Sequence, residues 1–154
     1  MTERLPDLDI YTAATNPLAQ QRYNELLIDQ FRTNAGNVDG QFADLPLLLL
    51  TTVGAKTAET RTTPLVYFSN GDRYLVIASK AGASTHPAWY HNLVANPAAS
   101  VEVPDESFDV RARVTEGAER DHLFQKVTER FPIYLDYQKR TSRMIPVVVL
   151  DRIA

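Results

Sequence analysis

The chain predicts a mainly β (α+β) domain, a small closed or split barrel of antiparallel strands with helices around it. Three observations carry that expectation. Asn70-Gly71 stands between two apolar runs, 64–68 and 74–78. Both residues tolerate positive φ, so the pair marks a tight hairpin. Phe108, Val110, Ala112 and Val114 alternate with Arg111 and Arg113; a period of two marks a half-buried antiparallel strand. Two helical stripes flank the strand-rich middle: Ala19, Tyr23, Leu27 and Phe31 with Leu26 before it, and Leu123, Phe124, Val127 and Phe131 after it.

In chain order, residues 1–15 show no period and are expected to be irregular. Asn16-Pro17 reads as an N-cap followed by Pro at the first helical position, with a helix to about Thr33 and Asn34-Ala35-Gly36 as its stop. The narrow, non-basic stripe of this helix is expected to pack on the domain. Residues 37–44 are a polar link. Pro46–Thr52, apolar on consecutive positions, predicts a strand buried on both faces. Gly54 to Thr60 is a turn, and Arg61–Phe68 with Asp72–Ala78 is the expected hairpin. Thr85-His86-Pro87 opens a short helix that Asn96-Pro97 closes. Ala99–Val103 and Ser107–Val114 are strands joined by a turn at Pro104-Asp105-Glu106. Thr115 is expected to cap the next helix, which Pro132 interrupts. Ile133–Arg140 forms a second short helix, and Pro146–Leu150 is the last strand. The tally is about six strands and about four helices. The expected organisation is an N-terminal segment, 1–45, with one amphipathic helix, ahead of a barrel domain, 46–154.

Composition narrows the function. With 154 residues, 44% hydrophobic and 23% charged, the chain has the makings of one ordinary globular core. The absence of cysteine excludes disulfides, thiolate metal sites, thiol nucleophiles and iron–sulfur clusters. A net charge of −3 and a pI of about 5.6 argue against nucleic-acid binding. No apolar run is long enough to span a membrane, and the first residues hold no signal-peptide core. A cytoplasmic location is therefore expected. The positive balance is confined to residues 51–97, where Lys56, Arg61, Arg73 and Lys80 outnumber Glu59 and Asp72. Polar loops and a helix N-terminus at strand ends are where anionic cofactors commonly bind.

Several local patterns lead nowhere. Gly54-Ala55-Lys56-Thr57 lacks the glycines of a phosphate-binding loop and precedes a strand. His86 and His91 are five apart, poor spacing for two ligands on one helix face, so no metal is expected. His122 falls on a surface helix. Ser79 has no local His/Asp pair. Trp89, Tyr90 and Leu93 have helical spacing, and Trp89 reads as a core residue. Tyr134 and Tyr137 share a helix face, with Phe131 one turn earlier. The three rings are either a core plug or a wall over a flat ligand.

Five ordered motifs are more specific. They are L-x-T-T-x-G-x-K-T at Leu49–Thr57, R-x-x-P-L at Arg61–Leu65, A-S-K-x-G at Ala78–Gly82, H-P-x-W-Y-x-N-L-x-A-N-P at His86–Pro97, and Y-x-x-Y-Q with a terminal I-P-V-V-V-L. Together they resemble the actinobacterial deazaflavin-dependent nitroreductase family, whose cofactor is coenzyme F420, over residues 47–150. The resemblance implies a split β-barrel of the FMN-binding flavin-reductase type. It implies hydride transfer from C5 of the reduced deazaflavin to a quinone, nitroaromatic or activated enone. It carries cofactor contacts to Thr52, Gly54, Lys56, Thr57, Arg61, Pro64, Ala78, Ser79, Lys80, Gly82, Pro87, Ala88, Trp89, Tyr90 and Asn92. Of these, Lys56 and Arg61 match phosphate contacts, and Ser79 and Lys80 match positions near the rings. It places Ser79, Tyr134 and Tyr137 at the reacting centre. Val66 and Phe131 stand where relatives have Tyr, which bears on the acceptor. An FMN oxidoreductase on the same barrel and a non-catalytic deazaflavin-binding module are the competing readings. The partner is a small-molecule acceptor, with no transmembrane segment; peripheral membrane contact through the N-terminal helix is the other partner considered.

Overall fold

The computed structural model describes residues 16–153; the irregular stretch expected over residues 1–15 lies outside them. Helix α1, Pro17–Thr33, starts as its sequence dictates. The Asn16 side chain accepts the Ala19 amide at 3.2 Å, and Pro17 takes the first helical position. Seven strands follow: β1 Leu47–Val53, β2 Thr60–Val66, β3 Phe68–Asn70, β4 Arg73–Ile77, β5 Ala98–Val103, β6 Glu106–Val114 and β7 Val147–Arg152. Helix α2, Ala88–Ala95, sits between β4 and β5. Helices α3, Gly117–Arg130, and α4, Ile133–Lys139, lie between β6 and β7.

Every pairing is antiparallel, in the order β2-β1-β5-β6-β7-β4-β3. The two edge strands, β2 and β3, are separated in sequence by Tyr67 alone. One residue spans only about 3.5 Å, so a sheet whose opposite edges lie that close must curl round into a barrel. β3 reaches only as far as Leu75 on its neighbour. β4 and the turn after it therefore run on with no strand on their outer side, and the barrel is split there.

This corrects the expected hairpin. Thr60–Val66 does not pair with β4; it forms a seven-residue ladder with β1, from Leu47↔Val66 to Val53↔Thr60. Pro64, which has no N–H, is tolerated because β2 is an edge. The Asn70-Gly71 turn is where expected but joins only Phe68–Asn70 to β4. Thr115 is corrected as well. Its hydroxyl donates to the Val147 carbonyl at 2.8 Å, and Glu116 is the residue preceding α3.

Strand parity distributes the core. Leu48, Leu50, Val76, Ala78, Val101, Phe108, Val110, Val148 and Leu150 fill the barrel, with Trp89 and Leu93 of α2 inserted among them. The opposite parity faces outward under helices. Leu47 and Leu49 pack against Tyr23, Leu26, Leu27 and Phe31 of α1. Leu75, Ile77, Val147 and Val149 pack against Leu123, Phe124 and Val127 of α3 and Tyr137 of α4. The four consecutive leucines of β1 thus serve two cores, as a doubly buried strand requires. Arg32 of α1 also forms a two-pronged pair with Glu102 of β5, at 3.1 and 2.8 Å. No helix among the described residues is long and apolar enough to cross a membrane.

Candidate functional site

The β1–β2 loop is closed by the Gly54 amide donating to the Glu59 carbonyl at 2.8 Å. A Cβ on Gly54 would lie 2.7 Å from Thr57 Oγ1, so only glycine lets the loop close this tightly. Asn92, buried on α2, fastens the loop from below. Its Nδ2 donates to Thr52 Oγ1 at 3.0 Å, and its Oδ1 accepts the Ala55 amide at 2.9 Å. Arg61 stands opposite Thr52 in the β1–β2 register, hence on the face of the sheet that α2 covers. Lys56 and Thr57 are exposed in the same loop. Arg61 pairs with Glu59 at 3.2 Å, but both side chains are more than half exposed. Such a pair contributes little and is readily exchanged for an anionic ligand. Pro64 opposes Leu49, whose row packs under α1, and the side chains of Trp89 and Ala78 are 6% and 0% exposed within the barrel core, which leaves the Trp89 amide rather than its ring at the helix start. A third cation of the basic stretch, Arg73, turns to Asp151 at 3.1 Å.

After β4, the chain makes a tight turn in which Lys80, Ala81 and Gly82 all have positive φ, of 46, 52 and 81°. Two successive non-glycine residues in the left-handed region are strained, and such strain persists only where neighbours over-determine it. Arg143 does so. Its Nε donates to the Ala83 carbonyl at 2.9 Å, Nη1 to Ala78 at 3.1 Å and Nη2 to Ser79 at 2.8 Å. Ser79 is buried at this turn, and Lys80 Nζ donates to Thr85 Oγ1 at 3.2 Å.

Helix α2 follows directly. Pro87 occupies its N-cap rather than the first helical position expected, and offers no side-chain acceptor. The first-turn amides of Ala88 and Trp89 thus have no side-chain cap, and the helix end is suited to an anion. Tyr90 is half-buried, and its ring lies 4.5 Å from that of His86. His86 Nδ1 is 3.0 Å from Arg143 Nη1. Arg143 is always a donor, so Nδ1 accepts and the imidazole is neutral. Burial, the Arg143 guanidinium and His91 together hold the His86 pKa below its ordinary value. A histidine whose folded pKa is depressed adds stability above its unfolded pKa of about 6.5, lost as pH falls through the folded value. Tm should therefore drop as pH falls from 7 towards the acid side of that window. His86→Asn, which keeps an acceptor for Arg143, should flatten that slope; an unchanged slope in thermal melts refutes the assignment.

On the outer side of β3 lies an aromatic cluster. Phe68 meets Phe131 at 5.2 Å and Tyr134 at 5.7 Å, and Tyr134 meets Tyr137 edge-on at 5.5 Å. Val66, at the end of β2, and Ala81, in the left-handed turn, pack on the wider apolar core to which these rings belong, and a Cβ on Gly82 would lie 2.7 Å from the Tyr137 carbonyl, so the turn lies directly against α4. Burial, then Tyr137, push the Tyr134 phenol far above its usual pKa. Sequence reasoning missed Phe68 and Arg143. Phe68 looked like one more strand residue. Arg143 sits beside polar Thr141-Ser142, and its acceptors are 60 to 65 residues away, so no local pattern marks it.

The donor set fits a ligand with an anionic arm and a flat ring system: Lys56, Arg61 and an uncapped helix end serve the first, and a stiff turn beside aromatic rings serves the second. A family model described as F420H(2)-dependent quinone reductase matches residues 24–152. The chain is 49% identical over 110 residues to an F420H(2)-dependent quinone reductase of Mycobacterium tuberculosis, covering 70% of this chain and 74% of that one. Among solved structures, an F420-H2 dependent reductase aligns with a TM-score of 0.63 and 41% identity, over 69% of this chain and 94% of its own. A chain described as a domain-swapped dimer aligns with a TM-score of 0.65 and 36% identity, over 89% of this chain and 98% of its own. With the match running through the strands, the turn and the helices that frame the split, this chain belongs to the F420H(2)-dependent quinone reductase family and is an oxidoreductase whose cofactor is coenzyme F420.

Proposed function

We propose that this protein holds reduced F420 along the barrel split and directs its hydride to a quinone. The observation that carries the reading is the close approach of the left-handed turn to α4, where a Cβ on Gly82 would lie 2.7 Å from the carbonyl of Tyr137, whose ring belongs with Phe68, Phe131 and Tyr134 to one aromatic cluster. It gives a cofactor-side element and an acceptor-side element a common border. When bound, reduced F420 supplies the hydride from its C5. The chain's residues bind, orient and exclude water. Lys56, Arg61 and the Ala88 and Trp89 amides hold the anionic arm. Thr52, Gly54, Thr57 and Asn92 keep that loop in place. Ala78, Ser79, Lys80 and Gly82 line the rings, and Pro87 and Tyr90 border them. Pro64 and Trp89 support the site from behind.

On the acceptor side, hydride addition leaves negative charge on the quinone oxygen. A phenol O–H that stays neutral can donate a hydrogen bond to that charge. Tyr134 is such a group, since its raised pKa makes it a firm donor and a poor acid. We assign it and Tyr137 to orienting and stabilising the acceptor, with the proton drawn from solvent. The reading places the enzyme in the cytoplasm. If the acceptor is a lipid-soluble quinone, α1 is the element that would meet the membrane, since Leu18 is 79% exposed at its start while its stripe is packed on β1.

The test mixes the protein with reduced F420 and a panel of soluble quinones and follows cofactor reoxidation. NADH, NADPH and reduced FMN serve as competing donors. Turnover with F420 should far exceed that with the others; equal or faster turnover with a nicotinamide or FMN refutes the reading, and binding without turnover leaves a cofactor-binding module. A charge-assisted hydrogen bond contributes roughly 1.5–3 kcal/mol, so Arg61→Ala should weaken F420 binding about tenfold or more. Phe131 provides ring surface without a donor, and nitro reduction needs several donors. Phe131→Tyr should therefore raise kcat/KM for a nitroimidazole relative to a quinone, while Tyr134→Phe should lower it for both. If neither change moves any acceptor's kcat/KM at constant cofactor affinity, the rings are core only.

A further inference from the structure

We propose that Arg143 is a positioning residue that locks the Ala78–Ala83 turn to α4, so that the ring-binding turn and the acceptor wall form one rigid unit. The inference rests on the reading of that turn as the part of the site nearest the deazaflavin rings.

The guanidinium directs all its described hydrogen bonds at one short segment. Three go to the carbonyls of Ala78, Ser79 and Ala83, and one to His86 Nδ1. A planar fork with five donors in fixed directions can reach four spread acceptors at once; an ammonium has three donors on a single nitrogen and cannot span them. The acceptors bracket Lys80 and Ala81, the two non-glycine residues in the left-handed region. Arg143 forms no ion pair among the described residues, so its hydrogen bonds are given to shaping backbone.

Arg143 is itself held. Gln138 Nε2 donates to its carbonyl at 2.7 Å, and Gln138 Oε1 accepts the Ile145 amide at 3.0 Å and Arg120 Nη2 at 3.0 Å. Arg120, a buried residue of α3, also donates to the Ile145 carbonyl from Nε and Nη2, at 3.1 and 2.8 Å. Gln138 follows Tyr137 and lies one turn after Tyr134, so the helix that bears the two phenols also anchors the clamp. On the other side of the turn, Gly82 sits so close to the Tyr137 carbonyl that a Cβ there would be 2.7 Å from it. A shift of Arg143 would move the turn relative to the phenols, and hydride transfer tolerates little change in the separation of the reacting atoms.

The test uses the full chain with Arg143→Lys, which keeps the charge, and Arg143→Ala. The first readout is amide exchange in the cofactor-free protein. Gly82 and Ala83 donate to the Ser79 and Lys80 carbonyls at 2.9 and 3.0 Å, and both amides should exchange at least about tenfold faster in either variant while those of β6 and β7 do not change. The second is F420 affinity and the kinetics with a quinone. Kd should rise and kcat fall in Arg143→Lys, each by about tenfold, whereas Arg61→Ala should raise Kd without altering exchange at the turn. Unchanged exchange at Gly82 and Ala83 overturns the proposal. So does faster exchange throughout the sheet, which marks a general stability role, and so does a mobile turn with wild-type Kd and kcat. Failure of the functional reading would show separately, as wild-type protein that neither binds nor oxidises reduced F420.

Discussion

Replacing Trp89 with alanine is expected to cost about 3–5 kcal/mol of folding stability, the usual range for removing a large buried aromatic side chain. The indole lies in the barrel among Leu48, Leu50, Val76, Val101 and Val148, so its loss leaves a cavity that rigid strands cannot close. A domain of this size has a total stability of roughly 5–15 kcal/mol, so the variant should unfold at a much lower denaturant concentration. Function should suffer indirectly. Asn92 lies one turn after Trp89 and ties Thr52 to Ala55, so a loosened α2 loosens the loop that carries Lys56. Trp89→Phe should recover much of the stability and nearly all of the F420 affinity. Denaturant melts and cofactor titrations on both variants decide the matter. A loss below about 1 kcal/mol together with a collapse in affinity would instead make Trp89 a direct wall of the cofactor site.

Gly82→Ala is expected to do the greatest damage to the site itself. At φ 81°, any side chain pays the left-handed penalty of about 1–2 kcal/mol. The new Cβ would also meet the Tyr137 carbonyl at 2.7 Å and Arg140 Cβ at 2.8 Å, both on or beside α4. Overpacking of this kind adds about 1–3 kcal/mol, for a combined cost on the order of 2–5 kcal/mol if the turn keeps its shape. If the turn yields, Ser79 and Lys80 lose their arrangement and F420 affinity falls, by a factor of about ten or more. Gly71→Ala is the control. Gly71 also has positive φ, but a Cβ there meets nothing within 4 Å, so only the backbone penalty applies and the cofactor should bind normally. Wild-type Tm and affinity in Gly82→Ala would show that the turn is neither tight nor part of the site.

These two positions show how differently parts of the molecule could be read in advance. Trp89 was readable as core from its spacing with Leu93 on a short apolar helix. The α1 cap at Asn16-Pro17, the doubly buried leucines of β1 and the alternation of β6 were equally readable, because each depends on sterics and periodicity within a few residues. The ordered motifs from Leu49 onward brought the F420 family into view before any strand was paired. What the chain could not display locally was the pairing of Thr60–Val66 with β1 in place of β4. Both pairings suit the same β-rich segment, and the choice is made by the curl of the whole sheet.

By itself, then, the sequence determined most of the elements, the alternating faces of β6, and the family, while the break at Tyr67 that makes seven strands of the expected six went unread. Only the tertiary structure decided which partners the basic residues take. Arg73 is claimed by Asp151 on β7, while Arg143, far from the basic stretch, is drawn to the carbonyls of Ala78, Ser79 and Ala83. It also decided that Phe68 joins Phe131, Tyr134 and Tyr137 in one aromatic cluster. The physical reason is one of range. Backbone propensity and burial period act over a turn of helix or a few strand residues, whereas a guanidinium or an aromatic ring finds its partner through packing that exists only once the barrel has curled.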